Sequence, residues 1–196
     1  MPQNPRGGNP GLAMLHCRVM QYFLGLHITG DAGAYLHELT KSISEHFGTW
    51  ALHERVPPHI TLFRPFDADD AQLQSVIETV QQWLAAQPMH GFTISGFDRF
   101  DDKVVFADVQ ADPALVSRVE HLQRRLERLP QMPDERPHWH PHASIARLLP
   151  PEQIERIWEY VTQLEDFAFT VPLENVTVFH HPEQGRWRPL QVIDTQ

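Results

Sequence analysis

A short pattern occurs twice in this chain and constrains its fold more than any other feature. Pro58-His59-Ile60-Thr61-Leu62-Phe63 and Pro141-His142-Ala143-Ser144-Ile145-Ala146-Arg147 both read Pro-His-x-[Thr/Ser]-aliphatic, and their histidines lie 83 positions apart. Each copy alternates in character as a half-buried strand does. Residues i and i+2 of a strand share a face. His59 and Thr61 therefore point one way, with Ile60 and Leu62 toward a core. His142 and Ser144 do the same in front of Ala143 and Ile145. Two such strands facing each other place two imidazoles and two hydroxyls in one cleft.

The surroundings of the two copies repeat as well. Tyr22 to Ile28 is a compact apolar run that reads as a strand. Tyr35, Leu39, Ile43 and Phe47 recur every fourth residue, one face of a helix that Gly48 closes. After the first motif, Leu73, Val76, Ile77, Val80, Trp83 and Leu84 keep the spacing of a buried helix face, and Phe92 to Phe97 alternates as a strand. The second half runs in the same order. It has a strand over Val104–Val109 and a helix opened by Asp112-Pro113, with Leu115, Val119, Leu122 and Leu126 inward. The second motif and a helix from Pro150 follow. Strands over Phe167–Phe169, Val176–Phe179 and Trp187–Ile193 close the chain, the last two joined by a turn at Pro182–Gly185. The expected architecture is α+β: two pseudo-symmetric lobes from a duplicated strand-helix-strand-helix-strand unit, with the motif strands at a central cleft. Two copies at so long a period exclude a solenoid.

Composition bounds the function. The formal net charge is −9, which argues against coating an extended duplex. A short nucleotide or an RNA end needs only a few local donors at one phosphate. Cys17 is the only cysteine, so no internal disulfide or cysteine zinc cluster forms, and a reducing cytoplasm is the expected location. No apolar run reaches the ~20 residues of a membrane span. Residues 1–11, rich in Pro, Gly and Asn, read as a flexible lead-in rather than a secretory signal, and 12–196 as one bilobal domain, expected to be monomeric.

The motif residues suit acid–base chemistry at phosphorus. An imidazole with a pKa near ~6.5 takes either protonation state at neutral pH. One histidine can deprotonate water while the other protonates the leaving alkoxide. Thr61 and Ser144 can hydrogen-bond the non-bridging phosphoryl oxygens. This arrangement requires no metal and no cofactor. Two alternatives stand beside it. One is a nucleotide-binding module without turnover. The other is a metal-dependent hydrolase built on His138, His140 and His142, three histidines two apart but interrupted by Pro141. His180-His181 reads as a solvated bend before a turn.

His59-Ile60-Thr61-Leu62 and His142-Ala143-Ser144-Ile145, in a duplicated α+β chain of this size, resemble the two-histidine (2H) phosphoesterase superfamily. The branch they resemble is the bacterial 2′-5′ RNA ligase-like proteins, also described as RNA 2′,3′-cyclic phosphodiesterases. The resemblance runs from about Tyr22 to Ile193. It implies a bilobal fold and metal-independent cleavage of a cyclic phosphodiester, with RNA ligation as the reverse reaction. It implies catalysis by His59 and His142, phosphate contacts from Thr61 and Ser144, and substrate contacts from Arg147 and from Trp187 in the last hairpin. Phe63 stands where the family often carries a basic substrate contact, and Ser144 where it often carries threonine. On strict alternation Arg64 and Arg147 face away from the histidines, so their use depends on the strands bending.

Overall fold

The computed structural model describes residues 19–86, 91–100, 103–134, 138–182 and 185–194. The expected N-terminal lead-in lies outside them. The elements are β1 (Met20–His27), α1 (Gly30–Phe47), α2 (Leu52–Arg55), β2 (His59–Ala68), α3 (Asp70–Ala85), β3 (Gly91–Phe100), β4 (Val104–Gln110), α4 (Pro113–Leu126), β5 (His142–Arg147), α5 (Pro151–Val161), β6 (Ala168–Pro172), β7 (Asn175–His181) and β8 (Arg188–Asp194). The order is the one expected from periodicity, with the single-turn α2 added between α1 and the first motif. Both motifs begin a strand, β2 and β5.

Local chemistry explains the boundaries. Asp69 caps α3 by accepting the Gln72 N–H at 2.9 Å, and Asp112 caps α4 by accepting the Ala114 N–H at 2.6 Å. Pro113 and Pro151 each open a helix where no N–H is needed. Gly48 ends α1 at φ 63°, the left-handed conformation glycine adopts without a Cβ penalty. The apolar stripes are inward as spaced: Leu73, Val76, Ile77, Val80, Trp83 and Leu84 of α3 are all buried, as are Leu115, Val119, Leu122 and Leu126 of α4. Each such side chain contributes roughly 1.5–3 kcal/mol of transfer free energy.

The strands form two antiparallel four-stranded sheets, ordered β2-β1-β7-β8 and β5-β4-β3-β6. β1 with β2 and β4 with β5 are the equivalent pairs of the duplicated unit. The third strands are exchanged: β3 of the first half extends the second sheet, and β7 of the second half extends the first. The helices cross over too. α4 packs on β2 and α1 on β5. The lobes therefore interlock, and one core cluster runs through both. This exchange leaves the motif strands β2 and β5 as edge strands that face each other, with Cα atoms within 8 Å. Among the described residues no helix is long and apolar enough to cross a membrane.

Candidate active site

Both motifs place their histidine by the same device. The His59 Nδ1 lies 2.8 Å from the Pro57 carbonyl, and the His142 Nδ1 lies 2.9 Å from the His140 carbonyl. A carbonyl only accepts, so each Nδ1 carries the proton and donates it. The tautomer is thereby set, and Nε2 on the far side of each ring is left to exchange a proton. The intervening residue is Pro58 in one copy and Pro141 in the other. Its fixed φ holds the preceding carbonyl in reach of the ring. A pocket lined by His59 and Ser144, with Thr40, Leu52 and His53 among its other walls, joins the two motifs.

Aromatic rings wall each imidazole. Phe23 lies 4.8 Å from the His59 ring and stacks on Phe179 at 4.4 Å. Phe100 and Phe106 lie 4.8 and 5.2 Å from His142. Gly25 makes room for the first pair: a Cβ there would meet the Ile60 carbonyl at 3.0 Å and the Phe23 and Phe179 rings at 3.2 and 3.3 Å. None of the four rings is identifiable as a wall from the sequence, because each comes from another strand of the same sheet, one or two places away, whose register must be known first. His27 and Asp108, the cross-strand partners of His59 and His142, are hidden for the same reason.

Burial holds the His59 pKa down at about 4. The Pro57 carbonyl opposes that shift, and His142, Arg147 and His27 add to it. Burial lowers His142 as well, again opposed by its carbonyl partner and aided by His140 and Arg147. Both imidazoles are thus neutral at pH 7 in the free protein. A native pKa below the unfolded value of about 6.5 means that the unfolded chain binds protons first as pH falls. Stability is therefore unaffected by these groups above that value and is lost as pH falls below it, the His59 part of the loss levelling off below about 4. Thermal midpoints measured across that window are expected to fall accordingly.

Arg147 reaches the site by a route alternation does not show. In β2 the partner of Leu24 is Phe63 and that of Gly25 is Thr61, so Leu62 is an extra, bulged residue. In β5 the partners of Phe106 and Val105 are Ser144 and Ala146, so Ile145 bulges in the same way. Two consecutive residues then point inward, Leu62 with Phe63 and Ile145 with Ala146, and the following arginine emerges on the exposed side. The Arg147 guanidinium consequently acts on both histidines. It lies 6.0 Å over the Trp50 ring. Arg64, its counterpart, donates to the Asp134 carbonyl at 2.9 Å.

The remaining expectations divide. Phe63 is corrected: it is fully buried, edge-on to Phe66, because the bulge turns it into the core, so it offers no surface to a substrate. Trp187 is partly exposed and packs edge-on to Phe23 at 4.8 Å, on the aromatic wall beside His59. His181 is not a solvated bend; it ends β7 and packs on Trp187 at 4.9 Å. The triple-histidine metal site fails on geometry. Among the described residues no three His, Cys, Asp or Glu side chains are placed to hold a metal ion. His142 is tied to the His140 backbone, and His140 packs edge-on to Phe100 and Phe106.

Comparison with known proteins bears on the family and the fold. Two relatives bear the name "Putative phosphoesterase". One, from Geobacillus sp. (strain WCH70), is 21% identical over 170 residues, covering 86% of this chain and 92% of its own. The other, from Bacillus cereus (strain ATCC 14579), is 26% identical over 136 residues, covering 67% of this chain and 75% of its own. Among solved structures, TT0787 of Thermus thermophilus superposes with a TM-score of 0.63 at 16% identity, covering 89% of this chain and 97% of that one. Escherichia coli LigT in complex with 3′-AMP gives 0.61 at 16% identity, covering 91% and 99%. LigT has also been crystallised with NADP+, ATP and phosphate. At such identities the structures speak for the fold. The sequence profile of the 2′-5′ RNA ligase superfamily matches residues 31–185, and the chain belongs to that superfamily.

Proposed function

We propose that this chain hydrolyses a 2′,3′-cyclic phosphodiester on a nucleotide or an RNA end, with His59 and His142 as the acid–base pair. The observation that carries the reading is the matched pair of imidazoles. Each has its Nδ1–H committed to a backbone carbonyl, which leaves Nε2 for proton transfer on strands that face each other. One Nε2 takes a proton from water as it attacks phosphorus. The other gives a proton to the ribose oxygen as its bond to phosphorus breaks, so one proton enters the site and one leaves it. Thr61 and Ser144 donate to the non-bridging oxygens, and Arg147 offsets their charge. Related LigT binds 3′-AMP and ATP, and a net charge of −9 suits a small nucleotide or a short end better than a long RNA. RNA ligation is the same displacement with the terminal hydroxyl of a second RNA attacking phosphorus in place of water, one ribose oxygen again leaving with the proton of the acid histidine.

The test is turnover, in chelator, of the four nucleoside 2′,3′-cyclic monophosphates and of a short RNA ending in a cyclic phosphate, with the product phosphate position read at the same time. Hydrolysis in chelator is the expected result. No hydrolysis of any of them overturns the reading. Two further outcomes belong to it. Ser144→Thr is expected to keep its rate because the hydroxyl survives, whereas Ser144→Ala lowers kcat on the order of 10²-fold, the effect of removing one donor to a growing oxyanion. The pH profile of kcat/KM reports the free protein's groups. One histidine must be charged and the other neutral. The acid limb is therefore expected at about 4 and the alkaline limb below the ordinary histidine value, with activity falling as pH rises past it.

A further inference from the structure

The two motif strands are edges of different sheets, and no backbone ladder joins them. Something else must hold them in relative register, because both histidines have to meet one phosphorus. The carbonyls of Thr61 and Leu62, at the bulge of β2, are paired from outside their own sheet. The Trp139 indole Nε1–H donates to the Thr61 carbonyl at 2.9 Å, and the buried Gln123 amide donates to the Leu62 carbonyl at 2.8 Å. Trp139 belongs to the approach to the second motif. The carbonyl of the next residue, His140, receives the His142 Nδ1–H at 2.9 Å. One dipeptide, Trp139-His140, thus touches the first motif with a side chain and orients the second motif's histidine with a carbonyl.

Trp139 is itself held from three directions. Its backbone N–H donates to the Glu120 carboxylate of α4 at 3.3 Å. Its ring lies edge-on to Phe92 at 6.1 Å. The preceding His138 sits at φ 65°, a left-handed conformation that few residues other than glycine adopt and that persists only where the surroundings enforce it. A surface loop has no need of such a fixture.

We infer that Trp139, seconded by Gln123, is a positioning residue that clamps the bulged first motif to the second and so sets the alignment of His59 with His142. The inference rests on the proposed two-histidine reaction for its consequence in catalysis. The clamp itself is a property of the free protein. Neither side chain touches substrate in this scheme. Both act through the backbone of β2.

Trp139→Phe tests it, since the ring still packs on Phe92 while the N–H is lost. Misplacement of one catalytic group by about 1 Å costs on the order of 10²-fold. The expected result is a fall in kcat of about ten- to a hundredfold with KM little changed. The ring-nitrogen NMR signals of His59, which lies in the other lobe from residue 139, are expected to shift. Gln123→Met, which keeps length and removes the other donor, is expected to act in the same direction. Ile154→Val in the core of α5 is the control for mere destabilisation and should lower the thermal midpoint without changing kcat. Unchanged His59 signals and unchanged kcat in Trp139→Phe and Gln123→Met overturn the clamp. So does a loss of kcat no larger than that of the control at equal destabilisation. Should the wild-type protein hydrolyse none of the cyclic phosphates, the proposed function fails, and the His59 signals still decide the clamp.

Discussion

Alanine in place of His59 or of His142 is expected to lower kcat on the order of 10²- to 10⁴-fold, the span of a single general acid or base. The two losses are not expected to add. Once either proton relay is gone, the attacking and leaving oxygens no longer have matched partners, and the double variant falls little below the single ones. The fold should survive. Both imidazoles begin edge strands and are partly buried, so each truncation leaves its space at a sheet edge rather than within a sealed core. The His59 variant also removes the ring that Phe23 packs against, and a small drop in thermal midpoint accompanies it. Affinity for inorganic phosphate, measured by calorimetry, separates chemistry from binding. Thr61, Ser144 and Arg147 remain, so phosphate should still bind. A variant with undiminished kcat removes that histidine from the mechanism.

What the sequence discloses and what it withholds follow from the range of the interactions involved. Helix periodicity, caps and the strand alternation of each motif are written in residues a few positions apart, and Asp69, Asp112, Gly48 and the α3 stripe are found in those roles. The Pro-His pair is equally local, since the ring bonds the carbonyl two residues back. Features that depend on pairing are not disclosed. The exchange of β3 and β7 between sheets needs the whole topology. A bulge adds one residue to one strand, and nothing in Leu62 or Ile145 distinguishes it from a regular strand residue. Strict alternation fails at Arg147, and the substrate-contact position taken from the resemblance fails at Phe63. One bulged residue in each strand, Ile145 in β5 and Leu62 in β2, displaces them in opposite directions: the arginine onto the site, the phenylalanine away from it. The four phenylalanines walling the histidines are invisible for a related reason, because they are neighbours only across the sheet.

Phe63→Ala carries the second large expectation, and it is an effect on stability rather than on substrate affinity. Phe63 is 0% exposed and packs against Phe66 within the core cluster common to both lobes. Truncating a ring in such a place costs about 3–5 kcal/mol, the lost transfer free energy together with the cavity left behind. In a chain of this size each kcal/mol lowers the thermal midpoint by roughly 2–4 °C, so a fall on the order of 10 °C is expected by calorimetry. KM of the folded variant should stay within about twofold of wild type, since the residue contacts no substrate. Phe63→Arg, which puts a basic side chain at that position, should be worse than alanine. It places an unpaired charge where the bulge directs residue 63 inward. Ala146 holds the equivalent inward position in the second motif, 1% exposed, and only a methyl group fills it. The two halves have therefore divided the space beneath the bulges unequally. A gain in substrate affinity from Phe63→Arg with an unchanged midpoint would mean that β2 runs in strict alternation and that Arg64, not Phe63, is the residue turned inward.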